Sequence, residues 1–138
     1  MNGTLRTWLK FNTVGLFGIG VQLLALVLLK SFLGLNYLVA TVAAVETAIL
    51  HNFVWHERWT WSERTRSRAG MVFDRLIRFH LTNGTISIGG NLVLMWILVS
   101  KARLHYFLAN IMSIATCSIM NFLASDRFVF RRQGRNGR

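Results

Sequence analysis

Two arginines occupy positions where the chain could bind a phosphate. Arg58 and Arg127 each follow an apolar run by a few residues, and they lie 69 positions apart. A guanidinium can hold a phosphate through two parallel hydrogen bonds. A residue just beyond a membrane span lies at the depth of lipid phosphates, where Trp59 could pack on a lipid chain. The alternative is that the arginines only anchor the helix ends, paired with Glu57 and Asp126.

Polar side chains inside the apolar runs form a second group of candidates. Buried amides in lipid need each other or another polar partner, and a carboxyl group at bilayer depth is by default a functional hypothesis. The group comprises Gln22, Glu46, Asn52, Asn91 and Asn121. In one interpretation these residues line a polar cavity. In the other, the amides only join helices, and Glu46 is a protonated acid bonded to a neighbouring helix.

The sequence lacks the arrangements that are typical of enzyme active sites. It has no cluster with the spacing of metal ligands, no nucleophile elbow and no phosphate-cradling glycine loop. Its five acidic residues are too scattered for paired acid–base work. We therefore expect no catalytic residue, no metal and no cofactor. The one cysteine, Cys117, cannot form an intramolecular disulfide.

The apolar runs that carry these residues have the length of membrane spans. The chain is 53% hydrophobic and has no proline, and about 20 apolar residues are needed to cross the hydrocarbon core as a helix. The sequence predicts an all-α membrane protein with four transmembrane helices. The predicted spans are 11–32, 37–55, about 76–100 and 106–124, with turns at 34–36 and 101–105.

The basic residues predict the orientation of these spans. Thirteen of the 16 Lys and Arg residues lie in the N-terminus, the central loop or the C-terminal tail, and three lie on the other side. The positive-inside rule therefore predicts that both termini are cytoplasmic, in a multi-pass protein of the cell membrane. The net charge of +11 is split between apolar runs, which favours anionic lipids as partners over nucleic acid.

The two halves of the chain resemble each other at an offset of 69 residues. Over positions 13–61, 14 residues recur without a gap, among them Gly15/Gly84, Asn52/Asn121 and Arg58/Arg127. We interpret the chain as a single domain, 1–138, made of two tandem parallel helical hairpins. Repeat 1 covers about 10–61 and repeat 2 about 76–131, with a basic cytoplasmic loop at 62–75 and a basic tail at 132–138.

Small residues recur every fourth position in the second and fourth predicted helices. The first stripe is Ala40, Ala44, Ala48 and Asn52, and the second is Ala109, Ser113, Cys117 and Asn121. Small side chains at this spacing let helix backbones approach closely, and an asparagine can hydrogen-bond across the contact. Glu46 lies on the opposite side of its helix from Ala44, because 3.6 residues complete one turn.

Several motifs resemble those of a known family, the GtrA-like membrane proteins, over residues 10–131. The first helix begins Lys10-Phe11-Asn12-Thr13-Val14-Gly15, similar to the family's basic-Phe-x-x-Val-Gly start. The second helix ends Asn52-Phe53, followed by Arg58-Trp59-Thr60-Trp61, and the fourth ends Asn121-Phe122, followed by Arg127-Phe128-Val129-Phe130. Glu57 and Asp126 depart from the family, which more often has a basic or neutral residue there.

The resemblance implies a role with lipid-linked sugars. The protein would bind, and translocate, a polyprenyl-phosphate sugar for cell-surface polysaccharide synthesis or glycosylation, and four helices would make a homo-oligomer reasonable. Arg58 and Arg127 would hold the phosphate, and the polar group would line a route for the sugar. One alternative is a membrane anchor for a glycosyltransferase. Another is a small proton-coupled exporter that uses Glu46.

Overall fold

The computed structural model describes residues 2–131, apart from the side chains of 37, 38, 106 and 107. All regular structure in this range is helical, as the sequence predicts. The chain divides into two compact units, Met1–Arg66 and Ser67–Arg138, called here the first and second unit. The predicted basic tail, 132–138, lies outside the described residues.

The first unit is built from two long helices. Helix α1 is Gly3–Val27 and continues as a π-helical segment, Leu28–Phe32. Helix α2 is Tyr37–Trp55 and continues as a second π-helical segment, His56–Thr60, before the short helix α3, Ser62–Thr65. Between α1 and α2 the chain turns at Gly34, whose φ of 65° is readily adopted by glycine. Helix α1 packs against α2.

The second unit repeats this plan. A 3₁₀ segment, Arg66–Met71, is kinked at Arg68 and leads into helix α4, Val72–Thr85. The helix then runs through a π-helical segment (Ile86–Gly90), α5 (Asn91–Trp96) and another π-helical segment (Ile97–Lys101). Helix α6, Tyr106–Ala124, follows and ends in the π-helical segment Ser125–Val129. Helices α4 and α5 both lie against α6 or its continuation.

The repeat seen in the sequence recurs in the backbone. Helix α6 has the bounds of α2 shifted by 69 residues, and both match the predicted spans. The π-helical segment after each of them recurs at the same offset. Arg103, with φ 52°, takes the position of Gly34. A non-glycine residue in this left-handed region costs roughly 1 kcal/mol, so the second unit keeps the turn at an energetic cost.

Helical structure extends beyond the predicted spans at two places. Helix α1 begins at Gly3 rather than near Phe11, and the segment predicted as a basic loop is largely helical from Ser62 onward. The physical reason is that hydropathy indicates whether a helix lies in lipid or in water, and it does not indicate where the helix ends. The backbone continues as a helix through charged residues because no proline interrupts it.

Within residues 2–131, three helical stretches are long and apolar enough to cross a membrane, judged by length and composition. They are Gly3–Phe32, Ser62–Lys101 and Leu108–Val129. The remaining predicted span coincides with α2, which is a continuous helix of 19 residues. It carries Glu46 and Asn52, two of the polar residues that the sequence marks as functional candidates.

The predicted small-residue stripes are the contact surfaces of α2 and α6. Ala40, Ala44 and Ala48 are all buried, although the chain exposes much apolar surface elsewhere. Their equivalents Ala109, Ser113 and Cys117 are buried to the same degree. In the first unit the approach is so close that a Cβ at Gly18 would overlap the side chain of Asn52.

An aromatic cluster forms the core at the other end of the first unit. The His56 ring is stacked on Phe11 at a centroid distance of 4.8 Å, and Trp61 meets the edges of both. The His56 Nδ1 atom lies 3.0 Å from Thr60 Oγ1. His56 is only 2% exposed, and this burial, with a smaller effect from His51, lowers the pKa of His56 to about 3.

The tight contact between α1 and α2 predicts the cost of a larger side chain. Ala44→Leu should destabilise the protein by about 1–3 kcal/mol, because the added atoms force the two backbones apart. The measurement is reversible unfolding in detergent micelles. Val42→Leu, at a 62% exposed position of the same helix, is the matched control and should change stability little. Equal stabilities for both variants would contradict the packing described.

The low pKa of His56 predicts a pH-dependent stability. Between the unfolded-state pKa of 6.5 and the folded-state pKa of about 3, the unfolded chain binds a proton that the folded chain does not. The free energy of unfolding should therefore fall as the pH falls, by about 2 kcal/mol between pH 7.5 and pH 5. Carboxyl groups titrate mostly below this window.

The same unfolding measurement in His56→Gln should lose this pH dependence between pH 7.5 and pH 5. His105→Gln, which changes an exposed histidine, is the control and should keep it. A pH dependence that survives unchanged in His56→Gln would mean that another group causes it.

Candidate functional site

The π-helical segment after α2 presents the predicted phosphate-binding residues. Within His56–Thr60 the first and last residues are buried, whereas Arg58 and Trp59 are exposed. His56 and Thr60 are both turned into the core, so Arg58 and Trp59 between them are directed outward. The segment therefore fixes the direction of Arg58 and Trp59 through the burial of His56.

Lys10 joins this pair from α1, about two turns after that helix begins. Its Nζ atom lies 5.3 Å from the centre of the Trp59 ring and donates a hydrogen bond of 3.3 Å to the Trp59 carbonyl oxygen. Two cationic side chains and an indole therefore belong to one end of the first unit. In the sequence Lys10 stands out as a basic residue on the predicted cytoplasmic side and as the start of the motif with Phe11, and that motif was the available signal for a role at the site.

Arg127 has the matching position in the second unit with different surroundings. It is exposed in the segment Ser125–Val129, whose end residues are buried. The equivalent of Lys10 is Phe79, which is buried and meets Phe130 edge-on at 6.3 Å. The second unit therefore keeps the exposed arginine but replaces the lysine with an apolar core residue.

The paired asparagines lie at helix contacts in both units. In the first, Asn52 Oδ1 is 3.2 Å from His51 Nδ1, and its amide faces Gly18. In the second, Asn121 Nδ2 donates a hydrogen bond of 2.9 Å to Ser87 Oγ, on the neighbouring helix. The serine takes the position of Gly18, so the second unit has a direct bond across the contact where the first has close packing.

Buried polar atoms without a hydrogen-bond partner are found, among the described residues, in the second unit. They are Asn83 Oδ1, Asn91 Oδ1, Ser113 Oγ, Asn121 Oδ1 and Ser125 Oγ. Leaving such an atom unsatisfied costs about 1–3 kcal/mol. Each of these atoms can accept a hydrogen bond, so this interior suits a hydroxyl-bearing ligand or water. Two of the predicted polar residues, Asn91 and Asn121, belong to this group.

The other predicted polar residues have less enclosed positions. Gln22 on α1 and Glu46 on α2 are half-buried, and Glu46 lies off the buried alanine stripe, as its angle around the helix predicts. An apolar groove in the first unit is not lined by the predicted polar residues. Its walls are Thr13, Val14, Phe17, His51, Trp55 and Trp59. Trp59 is the predicted site residue in this set. Within residues 2–131, no group of three His, Cys, Asp or Glu side chains could hold a metal ion.

Sequence reasoning missed part of the buried stripe. The four-residue spacing of Ala40, Ala44, Ala48 and Asn52 continues to His56 and Thr60, which are both buried. The predicted stripe ends at Asn52, because the next positions at this spacing, His56 and Thr60, are polar and lie beyond the predicted span. Continuing the same spacing would have identified His56 as a core residue.

Comparison with known proteins places this geometry in a family context. The chain is 36% identical over 114 residues to a dolichol-phosphate mannosyltransferase of Pyrococcus furiosus, which covers 81% of this chain. It spans only 30% of that longer relative. It is also 24% identical over 124 residues to the uncharacterized membrane protein YwcD of Bacillus subtilis, covering 90% of this chain and 96% of that protein.

A family model gives the assignment. The model described as "GtrA/DPMS, transmembrane domain" matches residues 10–130. This range includes both repeats and both arginine-bearing segments, and it agrees with the resemblance found from the motifs. The chain is a multi-pass membrane protein and belongs to the GtrA/DPMS transmembrane domain family.

Proposed function

We propose that this protein binds a polyprenyl-phosphate-linked sugar and moves it across the cell membrane, for cell-surface polysaccharide synthesis or glycosylation. The observation that carries this proposal is the family match over residues 10–130, supported by a relative named for a reaction with dolichol phosphate. The protein would perform no covalent step itself. Its task would be to hold the lipid phosphate and to shield the sugar from the hydrocarbon core.

In this proposal, Arg58 and Arg127 hold the phosphate. Both are exposed, and each follows a long helix in the same kind of π-helical segment. Positions just beyond a span lie at headgroup depth, where a guanidinium pairs with phosphate through charge-assisted hydrogen bonds. Trp59, beside Arg58, offers an amphipathic ring of the kind found at membrane interfaces.

The sugar would follow the polar residues. Gln22, Glu46, Asn52, Asn91 and Asn121 would line the route, and the unpaired acceptors of the second unit offer bonds to sugar hydroxyls. The proposal includes two tandem hairpins with four spans, α2 among them, and cytoplasmic termini. Four helices make a thin wall for such a route, which favours a homo-oligomer.

The lipid-binding part of the proposal predicts the effect of removing both arginines. Arg58→Ala/Arg127→Ala should lose most of the polyprenyl phosphate that the wild type retains after gentle purification, because each charge-assisted bond contributes about 1.5–3 kcal/mol. Native mass spectrometry measures the retention. Arg6→Ala/Arg66→Ala, which also removes two exposed arginines, should retain the lipid. Equal retention in both double variants would refute a specific phosphate site.

A second candidate function is the anchoring of a glycosyltransferase. The observation that favours it is that the chain matches 30% of a relative named as a mannosyltransferase, so a related membrane domain occurs within a larger enzyme. In this function the basic segment after α2 would face the enzyme, and the polar interior would serve folding alone.

Anchoring and translocation predict different results for an interior substitution. Asn91→Leu should leave co-purification of a membrane-associated glycosyltransferase unchanged if the protein is an anchor, and it should lower lipid-sugar flipping in proteoliposomes several-fold if the interior is a route. Leu92→Ala, at a neighbouring exposed position, is the control. Wild-type flipping no greater than in protein-free liposomes, together with enzyme co-purification in both wild type and Asn91→Leu, would favour the anchor.

A further inference from the structure

The apolar groove of the first unit is open to a ligand from the side. It has a volume of about 290 Å³, and several of its aromatic walls are well exposed, with Phe17 at 67% and Trp55 at 50%. Thr13 and Phe17 lie one turn apart on α1, His51 and Trp55 lie one turn apart on α2, and Trp59 follows in the π-helical segment after α2. The groove therefore runs along both helices and offers aromatic and aliphatic faces to an elongated apolar chain.

A cation stands at one end of this groove. Lys10 precedes Thr13 and Val14 by about one helical turn, and its ammonium group lies over the ring of Trp59, which is itself a groove wall. Its hydrogen bond to the Trp59 carbonyl oxygen holds the lysine at this end. Arg58 is the exposed neighbour of Trp59 in the same segment. An apolar groove that ends at a cation, with an exposed arginine in the adjoining segment, has the charge pattern of a site for an anionic amphiphile.

We propose that Lys10 and this groove bind the phosphate end of one polyprenyl phosphate, with the phosphate at Lys10 and the first part of the hydrocarbon chain along Phe17 and Trp55. This inference rests on the proposed function and adds to it a second cation and a binding surface for the chain. A phosphate bound between an ammonium and a guanidinium receives hydrogen bonds from both. The polyprenyl chain is stabilised by van der Waals contact between its branched isoprene units and the aromatic side chains of the groove.

The second unit does not repeat this site. The positions equivalent to Lys10, Val14, Trp55 and Trp59 hold Phe79, Asn83, Ala124 and Phe128. Phe79 is buried, so the second unit has neither the cation nor the tryptophans. Of the two places related by the repeat, only the one in the first unit has the residues that form the groove. We therefore place the lipid chain in the first unit.

Photo-crosslinking locates the bound chain. The full-length protein, in vesicles of phosphatidylcholine, carries Phe17→p-benzoylphenylalanine, and the probe is undecaprenyl phosphate. The probe is radiolabelled, and we expect a labelled crosslink that excess unlabelled undecaprenyl phosphate suppresses and that an equal excess of phosphatidylglycerol does not. The same photoreactive residue at Leu92, exposed in the second unit, should give no suppressible crosslink. Equal suppression by phosphatidylglycerol would show ordinary anionic lipid and overturn the proposal.

The role of Lys10 is tested by affinity. Lys10→Gln should weaken the binding of undecaprenyl phosphate about tenfold, as expected for a loss of one charge-assisted contact. The control is Lys101→Gln, since Lys101 lies over the Trp96 ring at 5.4 Å, almost the distance found for Lys10 and Trp59. Equal affinities for the two variants would overturn the assignment of Lys10.

The results separate this inference from the proposed function. If Arg58→Ala/Arg127→Ala abolishes binding whereas Lys10→Gln and Trp55→Ala leave it unchanged, the groove assignment is wrong and the proposed function stands. If wild-type protein binds no undecaprenyl phosphate, both are wrong. The helix content of each variant is checked by far-ultraviolet circular dichroism. This measurement distinguishes a loss of binding from a loss of folding.

Discussion

The close approach of two helices within each unit is the constraint on which the other features depend. Lipid provides no hydrogen bonds to the backbone and little hydrophobic force between helices, so helix pairs associate through contact of their surfaces. Ala40 and Ala44 on α2 remove side-chain bulk from that surface, and Gly18 on α1 leaves room for Asn52. Once the backbones are this close, the residues beyond the stripe have fixed directions.

The π-helical segments link this helix packing to the exposure of the two candidate arginines. His56 is held in the core by Phe11 and Trp61, and Ser125 and Phe130 are buried at the equivalent end of the second unit. Because the residues at both ends of each segment are buried, the arginine between them is directed outward. The exposure of Arg58 and Arg127 therefore follows from the burial of their neighbours, and the aromatic core has a role in positioning the candidate site.

The sequence predicted the helices well because lipid imposes simple rules. Apolar runs of about 20 residues must be helical in a membrane, and the bounds predicted for α2 and α6 agree with the structure. The contact between Lys10 and Trp59 could not be predicted in this way, because it joins residues 49 positions apart through a rotamer choice. The π-helical segments were missed for a similar reason, since no residue type specifies one hydrogen-bond register over another.

The two units show how one backbone plan can support different interiors. Gly18 and Lys10 of the first unit correspond to Ser87 and Phe79 of the second, while the helix bounds after them recur at the same offset. Backbone geometry depends on the small-residue stripe, which both units keep, so the remaining core positions are open to change. Aromatic packing and cations in the first unit suit a lipid phosphate and its chain. Unpaired acceptors in the second suit hydroxyl groups, so the same backbone plan offers a different chemistry in each unit.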